Sequence, residues 1–254
     1  MQKRQIVFLT HLDAQEIQAL SPLYADPLVA VNLGGLAAAS EHASLLVSFG
    51  TSVIVPGDLL SRFVDGAYNV HAASPDYPGR DSHHWAIYES ATRFGATMHV
   101  MVEKVDAGPI LDVELFDVPP DASPEKLLDL ANDAALAILR RAAPRLVMGP
   151  APAPLKDVAW GPTKRRRGDF ISMCDLPLGI SAGEFARRFN AFDGGRHDNL
   201  TVSIHGWTFR IDKKDGRGAR HGGDHPPTEL PGIPKDTRSA CAPQPPPCRS
   251  DPTA

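Results

Sequence analysis

No stretch of this sequence comes near the roughly 18 consecutive apolar residues of a membrane-spanning helix. No membrane partner is therefore expected. Cysteine is scarce: Cys174, Cys241 and Cys248 form an odd set without paired ligand spacing. That argues against a disulfide framework and against a zinc site, and no metal is expected. Charge of one sign is also missing, since the net charge is −4 with 22% charged residues. There is no global electrostatic reason to bind nucleic acid or an anionic membrane. The opening residues carry only a short apolar run, followed at once by Asp13 and Glu16. That is not the pattern of a secretory signal, and a cytoplasmic location is expected. A Gly-rich phosphate loop is absent as well: Thr10-His11-Leu12-Asp13 stands where a dinucleotide fold places Gly-x-Gly-x-x-Gly. Residues 212–254 lack aromatics, with Leu230 and Ile233 as the only large aliphatics. Such a segment cannot bury enough apolar surface to order itself and is expected to be a disordered tail.

What is present fits an α/β fold with a largely parallel sheet. Residues 6–9, 28–32, 45–49, 67–71 and 97–102 are short apolar runs of the kind that form buried strands, and residues 110–118 alternate as a strand nearer an edge. Helices are expected over 13–20, with Asp13 as cap, and over 58–63 and 81–89. Residues 33–40 read as a loop or a helix start. Ser123-Pro124-Glu125 is a strong helix start. That helix is expected to reach about Arg141, with Leu127, Leu130, Ala134, Ala137 and Ile138 on one face. A catalytic domain is thus expected over 1–148 and a Pro-rich linker over 149–163. A small α+β unit should follow over 164–211. It opens on Lys164-Arg165-Arg166-Arg167, contains a capping box at Ser181 and Glu184, and closes with a hairpin turning at His205-Gly206. The basic run reads first as solvated surface, though its charges could hold a diphosphate.

The chemistry concentrates between Tyr68 and Leu111. Asn69 and His71 share side-chain parity at the end of a strand and so point to one face, the crevice where ligands of α/β sheets bind. Asp106 follows the next apolar run, ahead of Ala107-Gly108. An amide, an imidazole and a carboxylate can serve one acyl transfer: two donors for an oxyanion and a carboxylate for the proton. The bland alternatives are an Asn/His pair satisfying backbone groups and a turn aspartate bonding its own backbone. His83-His84 invites a metal reading, but no third ligand sits at helical spacing. His42, His99, His197 and His205 read as structural or surface.

Asn69-Val70-His71, the turn Ser74-Pro75-Asp76-Tyr77-Pro78-Gly79-Arg80, the run Gly95 to Val100 and Asp106-Ala107-Gly108 together resemble the folate-dependent formyltransferases. The C-terminal string from Phe185 to Ile211 is most similar to the sugar N-formyltransferases. The resemblance implies a Rossmann-like formyltransferase domain followed by a small α+β unit. It implies a transferase that moves a formyl group from 10-formyltetrahydrofolate to the amine of a nucleotide-linked amino dideoxy sugar. GDP-perosamine is favoured and a dTDP-linked sugar comes next, with the product entering a lipopolysaccharide O-antigen or another surface polysaccharide. Asn69, His71 and Asp106 would be catalytic, with Asp106 keeping His71 protonated and accepting the proton. Val53, Ile54, Val55 and Val105 would bind the folate. Ser74, Tyr77, Arg80, His84 and Trp85 would bind the substrate, with Tyr77 or Trp85 stacking on it. A homodimer is compatible with the resemblance. The alternatives are a hydroxyornithine formyltransferase, a methionyl-tRNA formyltransferase, which should carry a larger basic C-terminal unit, and a non-catalytic folate or nucleotide module.

Overall fold

An apolar run without alternation needs cover on both faces, and the first strand has it: β1 (Ile6–Leu9) is buried at every residue. The computed structural model describes residues 4–150, 152–193 and 199–211. After β1 come α1 (Ala14–Leu20), β2 (Leu28–Ala30), α2 (Leu33–Ala39), β3 (Leu45–Phe49), α3 (Gly57–Leu60) and β4 (Gly66–His71). Asp13 caps α1 with a complete capping box, and Asn32 caps α2 by accepting from the Gly35 amide. The four strands pair in parallel as β2-β1-β3-β4. Next are α4 (Ser82–Tyr88), β5 (Arg93–Val100) and β6 (Ile110–Asp117). β5 pairs antiparallel with β4 and β6 antiparallel with β5, so the six-stranded sheet is mostly parallel, with an antiparallel flank.

Alternation along the strands divides the core between the two faces of the sheet. Ile6, Phe8, Leu45, Val47 and Val70 pack on α5 (Pro124–Val147), while Val7, Leu9, Leu46 and Ala67 pack on Leu36 of α2 and Leu59 of α3. Ser123 caps α5 with Pro124 at its first position. The helix outruns the expected end near Arg141 and carries Pro144 inside it. Ala142, Ala143, Leu146 and Val147 are all buried, and their burial offsets the lost Pro144 donor. Leu130 and Ala137, expected on the core face, are only half-buried.

Beyond α5 the chain returns along the antiparallel flank, where the Leu155 amide donates to the Ile110 carbonyl at 2.8 Å and the Gly161 amide to Pro75 at 2.9 Å. Then come α6 (Arg167–Cys174), α7 (Ala182–Arg188), a π-helical turn (Phe189–Asp193), β7 (Thr201–Ile204) and β8 (Trp207–Arg210). A third apolar cluster joins Trp85 of α4 to Phe170, Cys174, Phe192 and Leu200. The hairpin turns at His205 and Gly206, both at positive φ, as the sequence predicts. The capping box of α7 is only half made: Ser181 accepts from the Glu184 amide, but the Glu184 carboxylate turns to Arg188 and the Tyr88 hydroxyl. Among the described residues no helix is long and apolar enough to cross a membrane. His197, Cys241, Cys248 and the tail over 212–254 lie outside the described residues.

Because Ile138 is fully buried, Ile138→Ala is expected to cost about 2–5 kcal/mol in urea denaturation. Leu130→Ala should cost less than half as much; equal losses would contradict the observed facing of α5.

Candidate active site

β4 presents Asn69 and His71 two residues apart at its carboxyl end, and both line an open cleft of about 710 Å³. The reversal of direction at β5 decides what stands beside them. In the antiparallel register His99 lies opposite Asn69, and Thr97 opposite His71. His99 is therefore not a surface histidine: it is 3% exposed and lines the cleft beside Asn69. Its Nε2 lies 3.1 Å from Asn69 Nδ2, and its Nδ1 lies 2.9 Å from the Val100 carbonyl oxygen. A carbonyl only accepts, so Nδ1 carries a proton. In the neutral ring Nε2 then accepts from the Asn69 amide, and in the charged ring it donates to the Asp106 carboxylate. His71 is arranged the other way round, with Nε2 donating to the Tyr77 carbonyl at 3.3 Å and Ser82 Oγ 3.5 Å away.

Asp106 lies between the two imidazoles. One carboxylate oxygen is 3.4 Å from His99 Nε2; the other is 3.9 Å from His71 Nε2 and accepts from the Gly79 amide at 2.8 Å. The carboxylate reaches across the cleft floor to another loop's amide, and Asp106 itself adopts a positive φ of 44°. Burial alone would push its pKa up, but His71, His99 and the Gly79 amide together outweigh burial. They hold the carboxyl well below the usual carboxylate range. Two glycines make the approach possible. A Cβ at Gly108 would collide with the Val100 carbonyl, and Gly79 combines a φ of 101° with close contact to the Arg165 backbone.

The expected folate residues Val53, Ile54, Val55 and Val105 all line this cleft, as does Arg80. Four expected substrate residues do not. Ser74 is 1% exposed, and Trp85, at 3%, belongs to the third apolar cluster. His84 is buried, with Nδ1 donating to the Ala191 carbonyl at 2.5 Å. The Tyr77 ring packs tilted on Phe94 at 5.7 Å, and only the residue's carbonyl reaches the site. His84 and Trp85 face the core because α4 packs that side on α6 and the π-helical turn, a facing that local pattern cannot reveal.

Three features escape the sequence reading. His99 becomes visible only once β5 is known to run antiparallel. Lys164 to Arg167 line the cleft instead of standing on a remote surface. Trp160, inside the Pro-rich connection, donates from Nε1 to the Gly108 carbonyl at 2.8 Å and sets its ring edge-on to His99 at 5.0 Å. The assembly thus offers an amide and two imidazoles around one ionised carboxylate, at the mouth of an open cleft.

Residues 35–143 match the family profile described as formyl transferase. In fold, the chain is similar to a sugar N-formyltransferase from a Shewanella species, with a TM-score of 0.66 and 18% identity over 82% of this chain and 96% of that one. It is also similar to an N-formyltransferase from Helicobacter canadensis solved with folinic acid and dTDP-3-aminofucose, with a TM-score of 0.59 and 16% identity over 81% and 85% of the two chains. A third similar structure is the formyltransferase PseJ from Anoxybacillus kamchatkensis in complex with UDP-4,6-dideoxy-4-formamido-L-AltNAc and tetrahydrofolate. Its TM-score is 0.53, with 17% identity over 65% and 87% of the chains.

The depressed pKa of Asp106 has a consequence for stability. The ionised form contributes stability above the unfolded value of about 3.9, and that contribution is lost as pH falls toward the lower folded value. The stability gap between wild type and Asp106→Asn is therefore expected to shrink below about pH 4 in urea titrations at fixed ionic strength. A gap that widens on acidification would contradict the assignment.

Proposed function

We propose that this chain, which carries a formyl transferase domain over residues 35–143, moves a formyl group from 10-formyltetrahydrofolate to the amine of a nucleotide-linked amino dideoxy sugar. The observation that carries the reading is the Asn69–His99–Asp106–His71 cluster beside an apolar wall of Val53, Ile54, Val55 and Val105. The folate and nucleotide-sugar ligands named for the Helicobacter and Anoxybacillus proteins support it.

In the proposed reaction the neutral sugar amine attacks the formyl carbon, whose carbonyl oxygen becomes an oxyanion. Asn69 has one amide N–H directed to His99, and its second is free to donate to that oxyanion. His71, with Nε2 committed to the Tyr77 carbonyl, offers Nδ1–H when protonated. A carboxylate held this far below its usual range is a weak base. Asp106 therefore holds a proton only in passing: with His71 protonated in this role, the proton leaving the amine passes to the Asp106 carboxylate and on to the departing folate nitrogen. The bond from the formyl carbon to the folate nitrogen then breaks, and the nitrogen leaves with a proton.

The nucleotide and sugar are the finer part of the reading. On the resemblance of the Phe185–Ile211 string alone we put GDP-perosamine first and a dTDP-linked amino sugar next, with the product serving surface polysaccharide or O-antigen synthesis. The test is a panel of GDP-perosamine, dTDP- and UDP-linked amino sugars, hydroxyornithine and initiator tRNA, each with 10-formyltetrahydrofolate. Formylation of a nucleotide sugar is expected; formylation of hydroxyornithine or tRNA alone would overturn the reading. On the accepted sugar, Asn69→Ala is expected to lower kcat by about 10²–10³-fold, the scale of losing one oxyanion donor.

A further inference from the structure

We infer that Arg80 and Arg166 form a two-guanidinium clamp for the diphosphate of the substrate, with Lys164 as the innermost cation of the same row. The inference rests on the nucleotide-sugar reading of this cleft and assigns the part of it that recognises the nucleotide.

A short parallel bridge ties the basic run to the loop after β4. Gly79 pairs with Arg165; the Arg80 amide donates to the Arg165 carbonyl at 3.0 Å, and the Arg165 amide to the Pro78 carbonyl at 3.1 Å. In extended chain successive side chains leave on opposite sides. Arg165 takes the inner side, with its guanidinium 4.2 Å above the Trp85 ring and 2.9 Å from Glu89. Lys164 and Arg166 therefore leave on the cleft side. Arg80 follows Gly79 as Arg166 follows Arg165, and both line the cleft next to that bridge.

Pairing separates the structural cations from the rest. Arg165 is paired with Glu89, and Arg167 lies 3.6 Å from Asp81 and over the Phe170 ring. Arg80 and Arg166 are exposed, line the cleft and, among the described residues, form no ion pair. Two guanidinium groups next to one bridge, without a carboxylate, suit two adjacent phosphates, since each fork can hold two phosphate oxygens.

The row also has a direction. Lys164 Nζ donates to the Val105 carbonyl, next to Asp106, and Gly79 donates to Asp106 itself. The cations thus start at the reacting centre and lead outward. In a nucleotide sugar a single sugar ring separates the amine from the diphosphate, which fits anions placed immediately outside Asp106. The glutamyl carboxylates of a folate are a second source of negative charge, but an aminobenzoyl group stands between them and the reacting nitrogen.

The test is calorimetric titration of UDP, dTDP and GDP, and separately of 5-formyltetrahydrofolate as mono- and triglutamate. The proteins are wild type, Arg80→Ala, Arg166→Ala, Arg166→Lys and the double alanine variant. Arg93→Ala, exposed and outside the cleft, controls for net charge. Each alanine variant is expected to weaken at least one nucleoside diphosphate by about tenfold or more. Arg166→Lys should fall between, and folate binding and Arg93→Ala should stay unchanged. Added salt should weaken the wild-type nucleotide affinity. If the loss falls on the triglutamate instead, or if wild type binds no nucleoside diphosphate, the clamp is wrong. Binding needs no acceptor sugar, so failure of the acceptor panel would count against the reaction and leave this result standing.

Discussion

A carboxylate buried to 6% exposure is costly to keep ionised, and Asp106 stays ionised because three elements converge on it. His71 comes from β4, His99 from β5, and the Gly79 amide from the loop between β4 and α4. Remove any one and the balance shifts back toward the neutral acid. The antiparallel pairing of β5 on β4, the left-handed backbone at Asp106 and the glycine at 108 all serve this convergence. Trp160 closes it from outside, tying the Gly108 carbonyl to the chain that follows α5.

The same loop amide links chemistry to recognition. Gly79 donates to Asp106 and pairs with Arg165, so the reacting centre and the basic row share one backbone bridge. The cleft consequently has two unlike sets of lining residues. Val53, Val55 and Val105 contribute apolar surface to it, and Arg80, Lys164 and Arg166 contribute cations. On the proposed reading these sets take the flat folate and the charged nucleotide respectively, and the amine and the formyl carbon meet at Asn69 and His71.

Legibility in the sequence followed the range of the interactions involved. β1 and β3 read as continuous apolar runs because burial on both faces leaves no alternative pattern, and Ser123-Pro124 marks the start of α5 by local chemistry alone. Asn69, His71 and Asp106 could be selected by order and parity. The direction of β5 could not be read, because an eight-residue apolar strand looks the same either way up, and His99 was misplaced with it. Trp85 and His84 lie next to cleft residues in sequence, but a seven-residue helix turns them away into a cluster built by residues from Phe170 to Leu200. Glu184 fits a capping box by spacing, yet Arg188 and Tyr88 compete for it more effectively.

The central claim is that Asp106 is an ionised anchor holding two imidazoles in place. Carbon-13 NMR of aspartate side-chain carboxyls, with Asp106 assigned through Asp106→Asn, measures this directly. As pH falls from 7 to about 3, exposed aspartates should shift with midpoints near 3.9 while the Asp106 signal stays at its ionised position. An Asp106 resonance titrating at or above about 4 would show a carboxyl that is not held by its neighbours, and would contradict the account.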